Sequence, residues 1–416
     1  MVKVGYLNQP WDSSIPPNLG GSIPIWIWEV ARCIASSSEV VVVGRRRVGE
    51  TNRATREGVQ YIRLLRIPSR ADRWLSSPAR LLYGLRNVRQ PWFASSFYQL
   101  VFAERAARSF RDEACDLIHI HNFSQFVPIV RRLNPRAKIV LHMHCDWLTQ
   151  LDHKMIDKRL RYADAIIGCS EYVTANIRAR FPHYADRCMT IYNGVDSRHF
   201  HPNGRQSRES HSGRIVFVGR ISPEKGLHIL LDAFERVAAL RPDASLEIIG
   251  PEAVAPLEYI VNLSDDPIVQ GLRRFYEGNG YLDYLRRRVR GPLLGRVLFA
   301  GELPHSAVVE RLRHADLCVV PSLGGESFGI PAVEAMATGL AVVASRVGGL
   351  TEIVEDGVTG LLTESENPAA LAESLLRLID DNTLAQKMGC AGRQRAQQIF
   401  SWRVISETLK TLYSKI

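Results

Sequence analysis

The chain alternates short apolar, β-branched runs with longer segments of helical pattern, and this alternation occurs twice. In the first half the apolar runs are VKVGYLN, EVVVVG, VQYIRL, DLIHIHN, KIVLHMHC, AIIGCS and MTIYNGV. In the second half they are RIVFVGR, SLEIIG, VLFAGEL, DLCVVPS and LAVVAS. Strands that alternate with helices in this way form a parallel sheet covered on both faces. The sequence therefore predicts an α/β fold with two such sheets.

The boundary between the halves is marked by HPNGRQSRESHSG, a polar stretch rich in Gly and Ser. At 416 residues the chain is also too long for one ordinary core. We predict a first domain at residues 1–200, a linker at 201–213 and a second domain at 214–395. Residues 396–416 carry an apolar stripe at helical spacing, which predicts a helix that packs back on the first domain. Two such domains should face a cleft that binds ligand beyond the carboxyl ends of the strands.

The net charge of +10 indicates an anionic partner, which could be nucleic acid, an acidic membrane or a phosphorylated small molecule. The seven cysteines are scattered and form no C-x-x-C pair, which argues against a disulfide framework or a zinc finger. The sequence opens without the pattern of a signal peptide, and no run reaches the roughly 20 apolar residues of a spanning helix. These features predict a cytoplasmic protein.

Two carboxylates stand eight positions apart in GGESFGIPAVEAMATG, Glu326 in a Gly-rich loop and Glu334 in the helix that follows it. Pro331 and Gly339 mark the first turn and the end of that helix. Its N-terminus therefore offers free N–H groups and a positive dipole end to a phosphate. Either acid alone has an ordinary explanation, since the dipole favours Glu334 and Glu326 could be an exposed loop acid.

A second loop, GRISPEKG, places Arg220 and Lys225 beyond the end of a strand. Two cations at this point could clamp a diphosphate without a metal, or could belong to a solvated capping loop. A third loop, NLGGS, holds Gly20 and Gly21, which would let the backbone approach a ligand closely.

Together these motifs resemble the family 4 retaining glycosyltransferases of the GT-B fold. The resemblance rests on GGESFGIPAVEAMATGLAVVASRVGGLTEIVEDGVTGLL, GRISPEKG, IYNGVDSRHF, NLGGS and the terminal FSW. It covers nearly the whole chain in the order of the family, and it is nearest to bacterial members that build glycoconjugates or coats. The fold it implies is a pair of Rossmann-like parallel-sheet domains that face an interdomain cleft.

The resemblance implies a role for each of these residues. Glu334 would hold the ribose diol of the nucleotide, and Glu326 would face the hydroxyls of the donor sugar. Arg220 and Lys225 would neutralise the leaving diphosphate, and Gly21 would close over the same phosphates, with Gly20 beside it in the donor site. The remaining donor contacts would be backbone N–H groups of Ser327, Phe328, Gly329 and Ile330.

The histidines that end two strands of the first domain, in HIHN and HMHCD, allow three interpretations. A metal site is one, but Trp147 stands where the metallohydrolase-like H-x-H-x-D pattern needs another histidine. Buried structural histidines are the second, which suits His119 and His142. The third follows the family, in which the histidine at the position of His144 contacts the donor sugar.

The chain contains no D-x-D triplet, the usual carboxylate grip on a metal-bound nucleotide. We therefore expect a transfer that needs neither metal nor cofactor, with Arg220, Lys225 and helix dipoles stabilising the leaving diphosphate. Retention could arise by double displacement or by same-face attack. No convincing nucleophile is present, which favours the same-face route. The donor would be a nucleotide-diphosphate sugar, with UDP as the default because the family uses it most.

Residues 63–98 hold seven arginines interleaved with aromatic side chains: Arg63, Arg66, Arg70, Arg73, Arg80, Arg86, Arg89, Trp74, Tyr83, Trp92, Phe93 and Tyr98. This segment suits a glycan, lipid-linked or small-molecule hydroxyl acceptor, peripheral contact with an anionic membrane, or merely a solvated helix pair. No nucleic-acid module surrounds it. The alternatives to a transferase are an epimerase or phosphorylase of the same fold, and a non-catalytic nucleotide-sugar binder.

Overall fold

The computed structural model describes residues 2–12, 21–47, 49–65, 87–202, 212–277 and 280–416. The chain divides into two compact units. The first unit comprises Met1–Asn193 together with Trp402–Ile416, and the second comprises Gly194–Ser401. The linker expected at 201–213 lies largely outside the described residues, at 203–211.

The first unit is built on an eight-stranded sheet in the order β3-β4-β2-β1-β5-β6-β7-β8. Every neighbouring pair is parallel except β3 and β4. The strands are β1 (Lys3–Leu7), β2 (Glu39–Arg46), β3 (Arg53–Arg56), β4 (Val59–Leu65), β5 (Leu117–His121), β6 (Lys138–Met143), β7 (Ala165–Gly168) and β8 (Cys188–Thr190).

Helices join these parallel strands, as the crossover between parallel neighbours requires. They are α1 (Ser22–Ile34), α2 (Leu100–Asp112), α3 (Phe126–Leu133), α4 (Trp147–Gln150), α5 (His153–Leu160) and α6 (Glu171–Arg180), with 3₁₀ turns at Trp92–Ala94 and Pro182–Arg187. A further helix, Trp402–Lys415, comes from the far end of the chain and is called α15 below. Its apolar face, Trp402, Ile405, Leu409 and Leu412, joins Trp26, Ile27 and the strand valines in one core.

The second unit contains a six-stranded parallel sheet in the order β11-β10-β9-β12-β13-β14. Its strands are β9 (Arg214–Val218), β10 (Ser245–Ile249), β11 (Val297–Gly301), β12 (Leu317–Val320), β13 (Ala341–Ser345) and β14 (Gly360–Thr363). Its helices are α7 (Leu227–Leu240), α8 (Pro267–Gly271), α9 (Tyr281–Arg288), α10 (His305–His314), α11 (Ile330–Ala337), α12 (Leu350–Ile353), α13 (Pro368–Asp380) and α14 (Asn382–Ile399). Short 3₁₀ turns at Pro223–Lys225, Leu257–Tyr259, Val261–Leu263, Leu272–Phe275 and Gly291–Leu293 complete it. The core of this unit includes Phe217 of β9 and Leu230 and Phe234 of α7, which packs on the sheet.

The predicted α/β class with two parallel sheets is confirmed, while three details of the strands differ. Two strands were not predicted, β3 at the antiparallel edge of the first sheet and β14 at the edge of the second. The run MTIYNGV was expected to be a strand throughout, but β8 ends at Thr190. Val195, at the end of that run, instead bridges to Ser401 within the second unit.

Among the described residues, no helix combines the length and the apolar character that crossing a membrane requires.

Candidate active site

The site in the second unit is centred on an ion pair between Lys225 and Glu326. Lys225 follows β9 in a 3₁₀ turn, and Glu326 lies in the loop after β12. The Lys225 ammonium donates to Glu326 Oε2 at 2.5 Å, and the Ser322 hydroxyl donates to the same oxygen at 2.9 Å. Two loops that are 101 positions apart in sequence thus meet through their charged side chains.

Glu326 is ionised in this setting. Burial by itself would raise its pKa, but the Lys225 charge, the hydrogen bonds from Lys225 and Ser322, and the charge of Arg220 together lower it below the usual value. Because the Lys225 ammonium and the Ser322 hydroxyl both donate to Oε2, they hold the Glu326 carboxylate in a fixed orientation.

A glycine allows the two loops to approach so closely. Gly226, which caps the 3₁₀ turn after Lys225, has φ +69°. A Cβ at this position would lie 1.9 Å from the Pro321 carbonyl oxygen, far inside van der Waals contact. The backbone N–H of Leu323 also donates to the Glu224 carbonyl at 2.8 Å. The Gly in SPEKG is therefore required by packing as well as by its dihedral angle.

Two further glycines, Gly348 and Gly349, pack against the backbone of Glu326 and Ser327. Gly349 donates its N–H to the Glu326 carbonyl at 2.8 Å. A Cβ on Gly348 would lie 2.2 Å from that carbonyl oxygen, and one on Gly349 would lie 2.7 Å from the Ser327 oxygen. The VGG sequence after β13 thus packs directly against the backbone of the loop that carries Glu326.

Arg220 is held by an acid that the sequence did not single out. Its guanidinium donates to Glu224 Oε1 at 3.0 Å, and the Ser222 hydroxyl donates to Glu224 Oε2. Glu224 is buried, whereas the Arg220 side chain is 44% exposed, so the arginine can change partner while its anchor stays in place. The signal was present in GRISPEKG, since the carboxylate of Glu224 stands four residues after Arg220 and can reach it.

The loop after Glu326 leads into the N-terminus of α11. Gly329 caps this helix with φ +107° and Pro331 stands in its first turn. A Cβ on Gly329 would meet a Leu350 methyl at 2.4 Å. Phe328 is buried against Phe400, with ring centroids 5.8 Å apart. The segment Ser327–Ile330 is therefore fixed beside the positive end of the helix dipole.

Glu334 lies in the body of α11 and is buried. Its Oε1 lies 2.9 Å from His305 Nε2, and among the described residues no group donates to its other oxygen, Oε2. The His305 ring lies against Phe200 and His199, at centroid distances of 4.9 and 5.7 Å. Sequence analysis did not identify His305 as a site residue. The signal was its place at the first position of α10, directly after the turn that follows β11.

In the first unit, Gly21 precedes α1 with φ +95°, while Gly20 lies outside the described residues. His144, after β6, is half-buried and uses both ring nitrogens: Nε2 lies 2.9 Å from His121 Nδ1, and Nδ1 lies 3.1 Å from Asn193 Oδ1. Burial lowers the pKa of His144 to about 3, and the Asn193 contact opposes this shift only in part.

The residues of the metal-like pattern H-x-H-x-D do not form the cluster seen in the structure. Three histidines from two strands form it instead. One ring nitrogen from each of His119, His121 and His142 lies within 4.8 Å of the others, and all three side chains are buried. Burial, with the other histidines, holds the pKa of each ring well below its usual value.

The basic and aromatic segment 63–98 is described only at 63–65 and 87–98, and residues 66–86 lie outside the described residues. Phe93 is buried and packs against Trp147 at a centroid distance of 4.8 Å. This aromatic side chain therefore belongs to the core of the first unit and not to an exposed surface for an acceptor.

Comparison with known proteins extends over both units. The model described as Glycosyltransferase Family 4 matches residues 25–199, and the model described as Glycosyl transferases group 1 matches residues 204–395. Spore coat protein SA of Bacillus subtilis is 26% identical over 420 residues, which cover 96% of this chain and 96% of that protein.

Solved structures share the architecture. Sucrose-phosphate synthase from Thermosynechococcus elongatus superposes with a TM-score of 0.72 at 21% identity, over 100% of this chain and 99% of that chain. Anabaena HepE in complex with UDP and glucose gives a TM-score of 0.70 at 20% identity, over 100% of both chains. The chain belongs to the family 4, group 1 glycosyltransferases, and its fold is GT-B.

Proposed function

We propose that this glycosyltransferase moves a hexose from a nucleotide-diphosphate sugar to a hydroxyl group, with retention of configuration and without a metal ion. The observation that carries the proposal is the Lys225–Glu326 pair beside the α11 N-terminus, with Arg220 on the same loop as Lys225. A cation, a carboxylate and free N–H groups are what a sugar diphosphate needs.

In this proposal the donor binds to side chains that are paired with one another in the free protein, and it replaces their partners. Lys225 and Arg220 turn from Glu326 and Glu224 toward the diphosphate, whose charge grows as the bond to the sugar breaks. Glu326, freed from its cation, then accepts hydrogen bonds from the sugar hydroxyls. Because these charges are placed before the reaction, little reorganisation is needed in the transition state.

Glu334 is proposed to hold the ribose. His305 engages Oε1 at 2.9 Å, so the carboxylate is oriented and Oε2 is available to a diol. UDP is the proposed nucleotide, a choice supported by the HepE complex with UDP and glucose.

The route proposed for the transfer is same-face attack. The positive groups on the diphosphate favour departure of the leaving group, and its phosphate oxygen can take the proton of the acceptor hydroxyl. His144 is proposed to contact the donor sugar, and because His121 and Asn193 engage both of its ring nitrogens, one of these two contacts would be exchanged for the sugar.

The acceptor is proposed to bind the first unit, and the protein to work in the cytoplasm, with peripheral contact to an anionic membrane. The net charge of +10 supports an anionic or phosphorylated partner.

The deciding experiment is incubation of the protein with UDP-, GDP- and ADP-sugars in the absence of acceptor, with and without EDTA. Slow release of the nucleotide that EDTA does not change is the expected result. Interconversion of the sugars would indicate an epimerase, and binding without turnover would indicate a non-catalytic binder. Loss of release in EDTA would overturn the metal-free reaction.

Two substitutions separate the proposed roles of the acids. Glu334→Ala should weaken UDP affinity by about 10- to 100-fold, because hydrogen bonds to a charged group are lost. Glu326→Ala should mainly lower kcat. Isothermal titration with UDP and steady-state kinetics measure the two effects, and Glu355→Ala, which removes an exposed acid of the same unit, is the control. Unchanged UDP affinity in Glu334→Ala would remove the ribose assignment.

A further inference from the structure

Four imidazole rings lie together on one face of the first sheet. His119 and His121 alternate on β5, and His142 lies on the neighbouring strand β6 with His144 directly beyond its end. His121 and His142 are register partners, so the rings form two adjoining pairs. The centroids are 4.7 Å apart for His119 and His121, and 4.2 Å apart for His142 and His144. Sugar transfer as proposed above uses only His144 among them.

Hydrogen bonds fix the protons on His121 and His144, one ring from each pair. The amide oxygen of Asn193 can only accept, so His144 Nδ1 must donate to it. A neutral His144 then has a lone pair on Nε2, which accepts from His121 Nδ1 at 2.9 Å. In this contact His121 carries its proton on Nδ1, and the neutral ring has only one ring proton. Its other nitrogen, Nε2, is therefore a bare lone pair, buried and without a hydrogen-bond partner among the described residues.

His119 and His142 contribute further ring nitrogens to the cluster. His119 Nε2 lies 3.2 Å from His142 Nδ1, and one nitrogen from each of the three rings lies within 4.8 Å of the others. Nitrogen ligands at about 2.1 Å from a tetrahedral ion lie about 3.4 Å apart, so side-chain rotations would have to draw the three rings closer together. The proton now between His119 and His142 would move to the outer nitrogen of its ring.

The surroundings support His119 as a metal ligand, whereas His142 Nε2 is buried without a hydrogen-bond partner among the described residues. His119 Nδ1 lies 2.6 Å from the Tyr413 hydroxyl, which can accept its proton and so direct the Nε2 lone pair inward. Tyr413 is held in turn by Tyr6 at 3.1 Å. An imidazole binds a metal ion through the ring nitrogen that carries no proton.

We propose that His119, His121 and His142 form a binding site for a divalent first-row transition-metal ion such as Zn²⁺. All three ligands come from β5 and β6 of the first unit, and none of them is among the residues that neutralise the donor diphosphate. The ion would brace the two strands to α15 through Tyr413. The competing occupant is a buried water that links His121 Nε2 to the indole N–H of Trp26, which also lacks a partner among the described residues.

The test is the zinc content and zinc affinity of the full-length protein. After dialysis against Zn²⁺ and removal of free metal, elemental analysis should find about one ion per chain. His121→Gln should bind Zn²⁺ at least about a hundredfold more weakly, and Tyr413→Phe about tenfold more weakly, because the first removes a ligand and the second its outer support. His183→Gln, in an exposed ring of the same unit that pairs with Asp157, should match the wild type.

A second measurement does not depend on variants. Co²⁺ added to the wild-type protein should give visible d–d absorption that Zn²⁺ abolishes by competition. Absence of bound metal in the wild type, or equal zinc content in wild type and His121→Gln, overturns the site. Because metal content is measured without substrate, failure here is distinct from failure of the sugar transfer.

Discussion

At the scale of single residues, the charges of the candidate site are balanced before any ligand arrives. Lys225 is paired with Glu326, and Arg220 is paired with Glu224. A buried ionised group without a partner would cost several kcal/mol, so the unliganded protein needs these pairs. The same pairs set the requirement for a substrate, which must offer negative charge to the two cations and hydroxyls to the acid.

His228, three residues after Lys225, provides a test of this electrostatic description. Burial lowers its pKa to about 4, with smaller contributions from Arg274 and Arg288, and its Nδ1 lies 2.7 Å from the Tyr281 hydroxyl. The unfolded chain takes up a proton below about pH 6.5, while the folded protein resists it down to about pH 4. This group therefore lowers the free energy of unfolding as pH falls through that window.

The expected slope is about 1.4 kcal/mol per pH unit for this one proton. His228→Gln should lose that part of the slope between pH 6.5 and 4. Urea unfolding of both proteins across the window measures it. Equal slopes in the two proteins would show that His228 is protonated in the folded state.

The roles of single residues were only partly predictable from sequence. Glu326, Glu334, Arg220 and Lys225 could be named from their motifs, and their roles remain predictions. Their pairing could not be predicted, since Lys225 and Glu326 are joined only by tertiary contact. His305 was missed because a histidine at a helix start carries no fixed partner in sequence.

At the scale of elements, loop contacts and not helix or strand propensity decide the geometry of the site. Gly226 and Gly357 share nearly the same left-handed backbone, φ +69° and +76°. A Cβ on Gly226 would meet Pro321 O at 1.9 Å, whereas one on Gly357 would have no neighbour within 4 Å.

These two glycines form a matched pair of variants. Gly357→Ala should cost about 1–2 kcal/mol, the strain of a side chain in the left-handed region. Gly226→Ala should cost clearly more and should reduce turnover strongly, because the loop carrying Lys225 must move from the loop carrying Glu326. Chemical denaturation and kinetics of the two variants test this, and equal losses of stability would contradict the packing argument.

The inner strands of the two sheets were more predictable from sequence than the edge strands β3 and β14. Buried parallel strands appear as continuous apolar runs, and nearly all of these runs became strands. The strand β3, RATR, is exposed along most of its length, and its sequence has no apolar run to mark it. The strand β14, GLLT, is short and begins with Gly360, a residue type that is typical of a turn.

At the scale of the whole molecule, the first unit is discontinuous in sequence. Its core includes Ile405, Leu409 and Leu412 from α15, and Tyr413 of that helix contacts His119 and Tyr6. Each fully buried aliphatic side chain contributes about 1.5–3 kcal/mol, so α15 carries a large share of the stability of this unit. A helical stripe near the end of the chain was visible in sequence, but its partners depend on contacts more than 200 positions away.

A chain that ends at Ser401 should show which unit depends on α15. Amide hydrogen exchange in β1 and β5 should accelerate strongly, while β9 and β12 keep their protection, because α15 packs in the core of the first unit. Arg403→Ala in the full chain, which removes only an exposed side chain, should change neither. Unchanged exchange in β1 and β5 would contradict this role.

The chain leaves the first unit after Asn193 and returns to it at Trp402, and at this crossing Val195 pairs with Ser401 and its N–H donates to the Phe400 carbonyl at 2.7 Å. On a ribosome, residues 194–401 are therefore synthesised before α15. The second unit can fold once it has left the exit tunnel. The sheet made first must wait, with the apolar face that later receives α15 uncovered, and is completed last.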